Sequence, residues 1–144
     1  TERRGHLEFF AGRLAESEHH VVVLHGGMGA KQRRTVAEQI ASIPDNEKRV
    51  LLATGRYIGE GFDDARLDTL FLAMPVSWKG TLVQYAGRLH RLHAGKAEVC
   101  IYDYVDRNSP TLMRMFYKRL RGYRAMGYEM QDTAESAKMM FELS

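Results

Sequence analysis

The residues of this chain whose types and spacing point most directly to chemistry are Gln84, Gly87, Arg88 and Arg91, in the pattern Q-x-x-G-R-x-x-R. Offsets of three, four and seven residues return to the same side of a helix, so the four are predicted to share one helix face. Arginine suits phosphate because its planar guanidinium donates two parallel hydrogen bonds and keeps its charge. The pattern indicates a helix face that meets an anion, although a solvated basic face would have the same residues.

A second candidate is the segment 54–64, T-G-R-Y-I-G-E-G-F-D-D, which follows an apolar run predicted as a buried strand. It combines a hydroxyl, Arg56 and the glycines Gly59 and Gly61. A glycine backbone beside a hydroxyl and an arginine can approach a sugar-phosphate chain closely. Asp63 is placed to accept a hydrogen bond from a ribose hydroxyl. The alternative is a solvated loop with a capping aspartate.

The turn at 25–31, H-G-G-M-G-A-K, only partly matches phosphate-binding loops. A P-loop requires Ser or Thr after its lysine, and here Gln32 follows Lys31. Gln32 also occupies the position of the last glycine in the dinucleotide-binding pattern. A tight turn between strand and helix is the favoured interpretation, and a phosphate contact from backbone amides or Lys31 stays open.

Composition bounds the class of protein. At 144 residues the chain is one domain by length, and its formal charge of +3 is a mild bias toward polyanions. The lone Cys100 excludes an internal disulfide and favours a reducing compartment, so a cytoplasmic location is predicted. The histidines have no metal-binding spacing, so no metal site is predicted. No apolar run is long enough to span a bilayer, so no membrane partner is expected. Because the chain begins at Thr1, it is expected to be a piece of a longer protein.

Hydrophobic periodicity predicts helices alternating with strands that lack polar alternation. Such strands are typical of a parallel sheet covered on both faces, so the fold class predicted is α/β, a three-layer, mostly parallel open sheet. Ligands of these sheets meet the carboxyl ends of the strands. The helices are predicted at 5–17, 30–42, 79–91, 109–125 and 131–142, and the strands at 21–24, 50–54, 69–74 and 97–105.

Taken in order, these segments resemble the second RecA-like domain of a superfamily-two DEAD/DEAH-type helicase, a P-loop NTPase-type fold. Q-Y-A-G-R-L-H-R at 84–91 is similar to the family's motif VI, and L-L-A-T-G-R-Y-I-G-E-G-F-D at 51–63 is similar to motif V. The resemblance covers roughly residues 1–106. The E-G-F-D form and the glutamine that opens motif VI resemble the DEAH-like and type III restriction-subunit branches, which implies double-stranded DNA as the partner.

The resemblance implies a role for each matching residue in an ATP-dependent helicase or translocase. Arg88 and Arg91 would act as arginine fingers on ATP bound to a partner domain. Residues lining the ATP cleft would be Gly59, Gly61, Asp63, Gln84 and Gly87. Residues holding the backbone of one nucleic-acid strand would be His25, Gly26, Lys31, Thr54, Gly55 and Arg56.

The departures from the family pattern carry further expectations. Neither a P-loop lysine nor a D-E-x-x box occurs in the sequence. ATP and Mg²⁺ would therefore be held by an N-terminal RecA-like domain outside this chain, and the chain alone is expected to hydrolyse no ATP. The helicase domain is predicted to occupy 1–126 without its opening strand, with a helical extension at 127–144. Unpaired strand backbone invites self-association, which a monomeric mass in light scattering would contradict.

Two kinds of alternative remain. The chain could be a non-catalytic nucleic-acid-binding or regulatory RecA-like module, or its partner could be RNA. An unrelated α/β enzyme such as a nucleotide-sugar transferase would need a phosphate loop or metal ligands of its own. For the basic residues of the helix predicted at 109–125, a solvated face is the favoured interpretation and a contact with nucleic acid is the alternative. These residues are Arg114, Lys118, Arg119, Arg121 and Arg124.

Overall fold

A computed structural model describes residues 3–55, 57, 63–74, 76 and 82–131. The first half of the chain contains α1 (Arg4–Leu14), β1 (His20–Leu24), α2 (Ala30–Ser42) and β2 (Arg49–Ala53). The second half contains β3 (Thr69–Leu72), α3 (Val83–Leu89), β4 (Cys100–Asp103) and α4 (Pro110–Ala125). Arg56, Gly59, Gly61 and most of the helix predicted at 131–142 lie outside the described residues.

The strands pair in parallel, as predicted. β1 pairs with β2, with Val22 opposite Leu51, and β3 pairs with β4, with Leu70 opposite Ile101. Helices separate the members of each pair along the chain, so the α/β class with parallel strands is confirmed. Among the described residues the four strands form two separate pairs.

Each pair of strands has its own hydrophobic core. Leu24 of the first core is 1% exposed and Leu82 of the second is fully buried, and each such leucine contributes about 1.5–3 kcal/mol. The first core consists of Val22, Leu24, Met28, Ile40, Ile43, Ala53 and Tyr57. The second consists of Leu72, Leu82, Tyr85 and Tyr123. The two halves of the domain are therefore stabilised largely from within.

A cavity of about 1260 Å³ lies between the halves and is lined by residues of β2, β3 and α1. Its apolar lining includes Leu7, Phe10, Leu51, Leu70 and Phe71. Among the described residues, β2 and β3 each pair with one strand only.

The missing opening strand, the division of domains after residue 126 and self-association stay predictions.

Arg66 makes a polar connection across the link between β2 and β3. Its guanidinium donates to the carbonyl oxygens of Ile40 (3.0 Å) and Ile43 (2.8 Å) at the end of α2. It also forms two hydrogen bonds to the buried carboxylate of Asp64, at 2.8 and 2.9 Å. Burial opposes ionisation of Asp64, but the hydrogen bonds from Arg66 and the nearby positive charges hold its pKa below the ordinary value.

Arg119 corrects the prediction of a wholly solvated basic face on α4. It is 1% exposed, and its guanidinium donates to both carboxylate oxygens of Asp103, at 2.7 and 2.8 Å. It also donates to the carbonyl of Val76 (3.0 Å), while the hydroxyl of Tyr123 donates to Asp103 (2.9 Å). The other four basic residues of that prediction are exposed, as expected.

Elements α1, β3 and β4 are each shorter than predicted, for a local reason. α1 ends at Leu14, where the hydroxyl of Ser17 donates to the Leu14 carbonyl (2.7 Å) and competes with further helical bonds. β3 and β4 pair only from Thr69 opposite Cys100 to Leu72 opposite Asp103, so each has four residues.

No helix in the described part of the chain is long and apolar enough to cross a membrane.

Candidate functional site

The candidate site begins on α3, a helix of seven residues. Its inner face is apolar, because Tyr85, Ala86 and Leu89 are buried. Gln84 and Gly87 are exposed and Arg88 is partly buried. These three positions are thus less buried than the apolar residues of α3, and their assignment to a ligand site stays a prediction.

Arg91 lies beyond the end of α3, so the prediction of a helix reaching Arg91 was wrong. The backbone N–H of Arg91 donates to the Arg88 carbonyl at 3.3 Å, which keeps the two arginines in one turn. The ammonium of Lys96 donates to the carbonyl oxygens of Leu89 (2.7 Å) and Arg91 (2.9 Å). A cation bonded to the last carbonyls stabilises a helix end there. Burial lowers the pKa of Lys96, against the opposing charges of nearby carboxylates.

Arg91 pairs with Asp63, at 2.5 Å between guanidinium and carboxylate. The structure thus places Asp63, the last residue of the motif V-like segment, beside Arg91, the last residue of the motif VI-like segment. The side chains of Arg91 and Asp63 are 55% and 39% exposed, and ion pairs this exposed contribute only about 0–1 kcal/mol. The pair can therefore open to an incoming anion at little cost.

Gly87 lies on the open side of α3. A Cβ atom built at this residue would meet nothing within 4 Å. Packing within the described part of the chain therefore does not require glycine here. Within that part, the backbone of α3 at Gly87 is open to a group from outside the chain.

The predicted nucleic-acid residues that the structure describes, all but Arg56, follow the carboxyl ends of β1 and β2. The backbone N–H of Thr54 donates to the carbonyl of Leu24 at 3.1 Å, which places the Thr54–Gly55 segment beside the turn that begins at His25. Gly26 in that turn and Lys31 on α2 are exposed. This edge of a parallel sheet is where ligands of α/β folds bind.

Arg33 and Met28 hold this turn, and the sequence analysis did not predict their role. Met28 is buried in the first core and anchors the turn. The side chain of Arg33 donates to the Met28 carbonyl at 3.0 Å and its guanidinium lies 5.8 Å from the centre of the Tyr57 ring. The sequence offered one signal for this role, the basic run K-Q-R-R near the start of a predicted helix. An arginine in such a run can stack on an aromatic ring.

Tyr85 connects the two groups of predicted residues. Its hydroxyl donates to the carbonyl of Gly55 at 2.5 Å, across 30 positions of sequence. Tyr85 lies inside the Q-x-x-G-R-x-x-R pattern, but nothing in that pattern indicated its bond to Gly55.

In the described residues, no group of three or more His, Cys, Asp or Glu side chains is arranged to hold a metal ion.

Comparison with known proteins agrees with this arrangement. The profile described as Helicase conserved C-terminal domain matches residues 1–93, which contain both motif-like segments. "Putative helicase 161L" of Invertebrate iridescent virus 6 is 37% identical over 83 residues, 58% of this chain and 18% of that protein. "Uncharacterized protein 108L" of Invertebrate iridescent virus 3 is 38% identical over 86 residues, 59% of this chain and 77% of that protein.

A solved structure supports the fold. The crystal structure of the C-terminal part of the Fun30 ATPase domain superposes with a TM-score of 0.64 at 13% identity, over 92% of this chain and 39% of that chain. The chain thus spans well under half the length of that structure and 18% of the viral protein 161L. With 93 of its 144 residues matched, the chain belongs to the helicase conserved C-terminal domain family and has the α/β RecA-like fold.

Proposed function

We propose that this domain is the second motor domain of an ATP-dependent helicase or translocase, and that it supplies Arg88 and Arg91 to ATP bound on a first domain. The observation that carries the proposal is the exposed ion pair between Arg91 and Asp63, because the backbone N–H of Arg91 also bonds the Arg88 carbonyl and keeps the two arginines within one turn. Gly87, next to Arg88, is exposed. Two guanidiniums next to accessible helix backbone suit a triphosphate presented by another domain.

The chemistry assigned to these residues is electrostatic. Bound ATP supplies the γ-phosphoryl group, and arginine fingers in phosphoryl transfer are worth about 10³–10⁵ in rate. Asp63 holds Arg91 in place before the nucleotide arrives and then releases it to the phosphate. Gln84 and Gly87 face the same side and contact the nucleotide or the first domain. Mg²⁺ and most triphosphate contacts belong to that first domain.

The nucleic-acid contacts assigned to this domain lie at the ends of β1 and β2. Backbone N–H groups of the turn at His25–Gly26, with the Thr54 hydroxyl, bond phosphate oxygens. Gly55, which follows Thr54, is buried and supports this contact from within the fold. Lys31 adds a positive charge nearby. The DEAH-like and type III restriction-subunit resemblance of the E-G-F-D segment and of Gln84 supports double-stranded DNA as the natural partner.

The test is ATP hydrolysis by the intact motor that contains this chain and a first domain, with and without double-stranded DNA. We expect DNA to stimulate hydrolysis. We expect Arg91→Ala to lower the rate of ATP hydrolysis by about 10³-fold or more while ATP still binds. Arg121→Ala, on the exposed face of α4, is the matched control and should hydrolyse ATP normally.

Three outcomes would contradict parts of this proposal. Unchanged hydrolysis in Arg91→Ala would remove the arginine finger from this domain. Stimulation by RNA alone would replace DNA with RNA as the partner. Arginine-dependent hydrolysis by the 144-residue chain alone would contradict the expectation that ATP is held elsewhere.

A further inference from the structure

We propose that the hydroxyl of Tyr85 is the link through which nucleic acid bound at Thr54–Gly55 changes the position of Arg88 and Arg91. The inference rests on the proposed function and adds a positioning residue to it. Tyr85 touches neither ligand. It acts by joining the loop that would bind one ligand to the helix that would bind the other.

The first observation is the hydrogen bond itself. The Tyr85 hydroxyl donates to the Gly55 carbonyl at 2.5 Å, Tyr85 is 3% exposed and Gly55 is buried. Inside a protein such a bond is stronger than in water, and an unpaired buried carbonyl is costly. When Gly55 moves, Tyr85 therefore moves with it, because breaking the bond would leave the buried carbonyl unpaired.

The second observation is where the bond lies between the two halves of the domain. Gly55 follows β2, whose Ala53 belongs to the first core, whereas the ring of Tyr85 belongs to the second core. Arg66 also joins the halves, but it bonds to the end of α2, at Ile40 and Ile43. The bond from Tyr85 differs because it ends on Gly55, which is one of the predicted nucleic-acid residues.

The third observation is continuity on each side of the bond. On one side, the backbone of Thr54 is bonded to the carbonyl of Leu24, next to the turn at His25. On the other side, Arg88 follows Tyr85 by three positions, so the two residues are neighbours on successive turns of α3. A shift at the nucleic-acid loop can thus reach Arg88 through one hydrogen bond and one turn of helix.

The experiment uses the 144-residue chain labelled with nitrogen-15 and a double-stranded DNA oligonucleotide as the probe. In the wild type, DNA is expected to shift the backbone amide signals of Thr54 and Gly55 and also those of Arg88 and Arg91. In Tyr85→Phe, the shifts at Thr54 and Gly55 remain and those at the two arginines disappear.

Tyr123→Phe is the matched control, because it also removes a hydroxyl from the second core. The Tyr123 hydroxyl donates to Asp103 at 2.9 Å, away from the Gly55 loop. A merely structural effect of losing a buried hydroxyl would act alike in both variants. We expect Tyr123→Phe to keep the DNA-dependent shifts at Arg88 and Arg91.

A measurement on the unsubstituted fold covers the case in which Tyr85→Phe does not fold. With 3-fluorotyrosine incorporated, the fluorine signal of Tyr85 should move on adding DNA, and that of Tyr123 should not. A stationary Tyr85 signal, with Thr54 and Gly55 shifting, would overturn the inference. So would arginine shifts that persist in Tyr85→Phe.

Failure of the proposed function gives a different result. If DNA shifts neither Thr54 nor Gly55 in the wild type, nucleic-acid binding at this loop is wrong and the inference falls with it. In the intact motor, Tyr85→Phe should reduce DNA stimulation of ATP hydrolysis by about 5-fold or more, the lower limit of measured couplings between sites, and leave hydrolysis without DNA unchanged.

Discussion

At the scale of single residues, burial separates arginines that are chemically alike. Arg91 and Asp63 form an ion pair with side chains 55% and 39% exposed. Arg119 and Asp103 form one with side chains 1% and 9% exposed. The exposed pair is weak enough to exchange for a phosphate, whereas the buried pair would leave an uncompensated charge if opened. The first pair fits a ligand site and the second fixes the fold.

Gly87 gives a prediction in which stability and activity change in opposite directions. Gly87→Ala places a methyl group where the described structure has no atom within 4 Å, so α3 should gain about 0.8–1 kcal/mol of stability from helix propensity. The same methyl group would meet the nucleotide or the first domain, so ATP hydrolysis by the intact motor should fall. Urea unfolding of the chain and ATP hydrolysis by the motor measure the two effects.

Gly12→Ala in α1 is the control for that substitution, because Gly12 has equally open surroundings. It should give a similar gain in stability with no loss of hydrolysis. Normal hydrolysis in Gly87→Ala would show that nothing approaches the backbone of α3, which would contradict the proposed interface.

At the scale of elements, helix and strand identity followed from the sequence more closely than their limits. The helix predicted at 30–42 has those limits in α2, because its apolar spacing is regular and Ser42 and Pro44 end it. α3 ends two residues before Arg91 because Lys96 bonds its last carbonyls. Nothing in local periodicity shows that a lysine seven residues beyond Leu89 has this role, so the end of α3 was not predictable.

The packing of α4 carries the second prediction. Arg119→Met removes the partner of the buried Asp103 carboxylate and should lower the free energy of unfolding by about 3–5 kcal/mol. The exposed Arg121→Met, two positions away on the same helix, should change it by no more than about 0.5 kcal/mol. Chemical denaturation of both variants measures the difference. Equal, small effects would mean that Asp103 and Tyr123 hold α4 without the arginine.

At the scale of the whole domain, the sequence predicted the parallel strands but not how the two halves meet. Each half is specified by local apolar patterns, which show in the sequence. The connections between halves are single polar contacts across more than 20 positions, such as Arg66 to Ile40 and Tyr85 to Gly55. Arg66, Asp64 and Tyr85 are ordinary residues in the sequence, and only the fold shows what they contact.

The connection at Arg66 gives a prediction about pH. The pKa of Asp64 lies below its ordinary value in the folded domain, so its ionised form stabilises the fold. This contribution is fully present above the unfolded pKa of about 3.9 and is lost as pH falls through the lower folded value. Stability of the wild type should therefore decline below about pH 4, steeply compared with a variant that lacks the carboxylate.

Asp64→Asn should be less stable than the wild type at neutral pH, and its stability should depend less on pH below about 4. The matched control is Asp45→Asn, since Asp45 also bonds Arg66 but its side chain is 72% exposed; it should cost no more than about 1 kcal/mol. Urea midpoints between neutral and acid pH measure all three proteins. If the urea midpoints of wild type and Asp64→Asn change with pH in parallel, carboxylates other than Asp64 control acid unfolding. The ionisation of Asp64 would then not be what holds Arg66 on the Ile40 and Ile43 carbonyls.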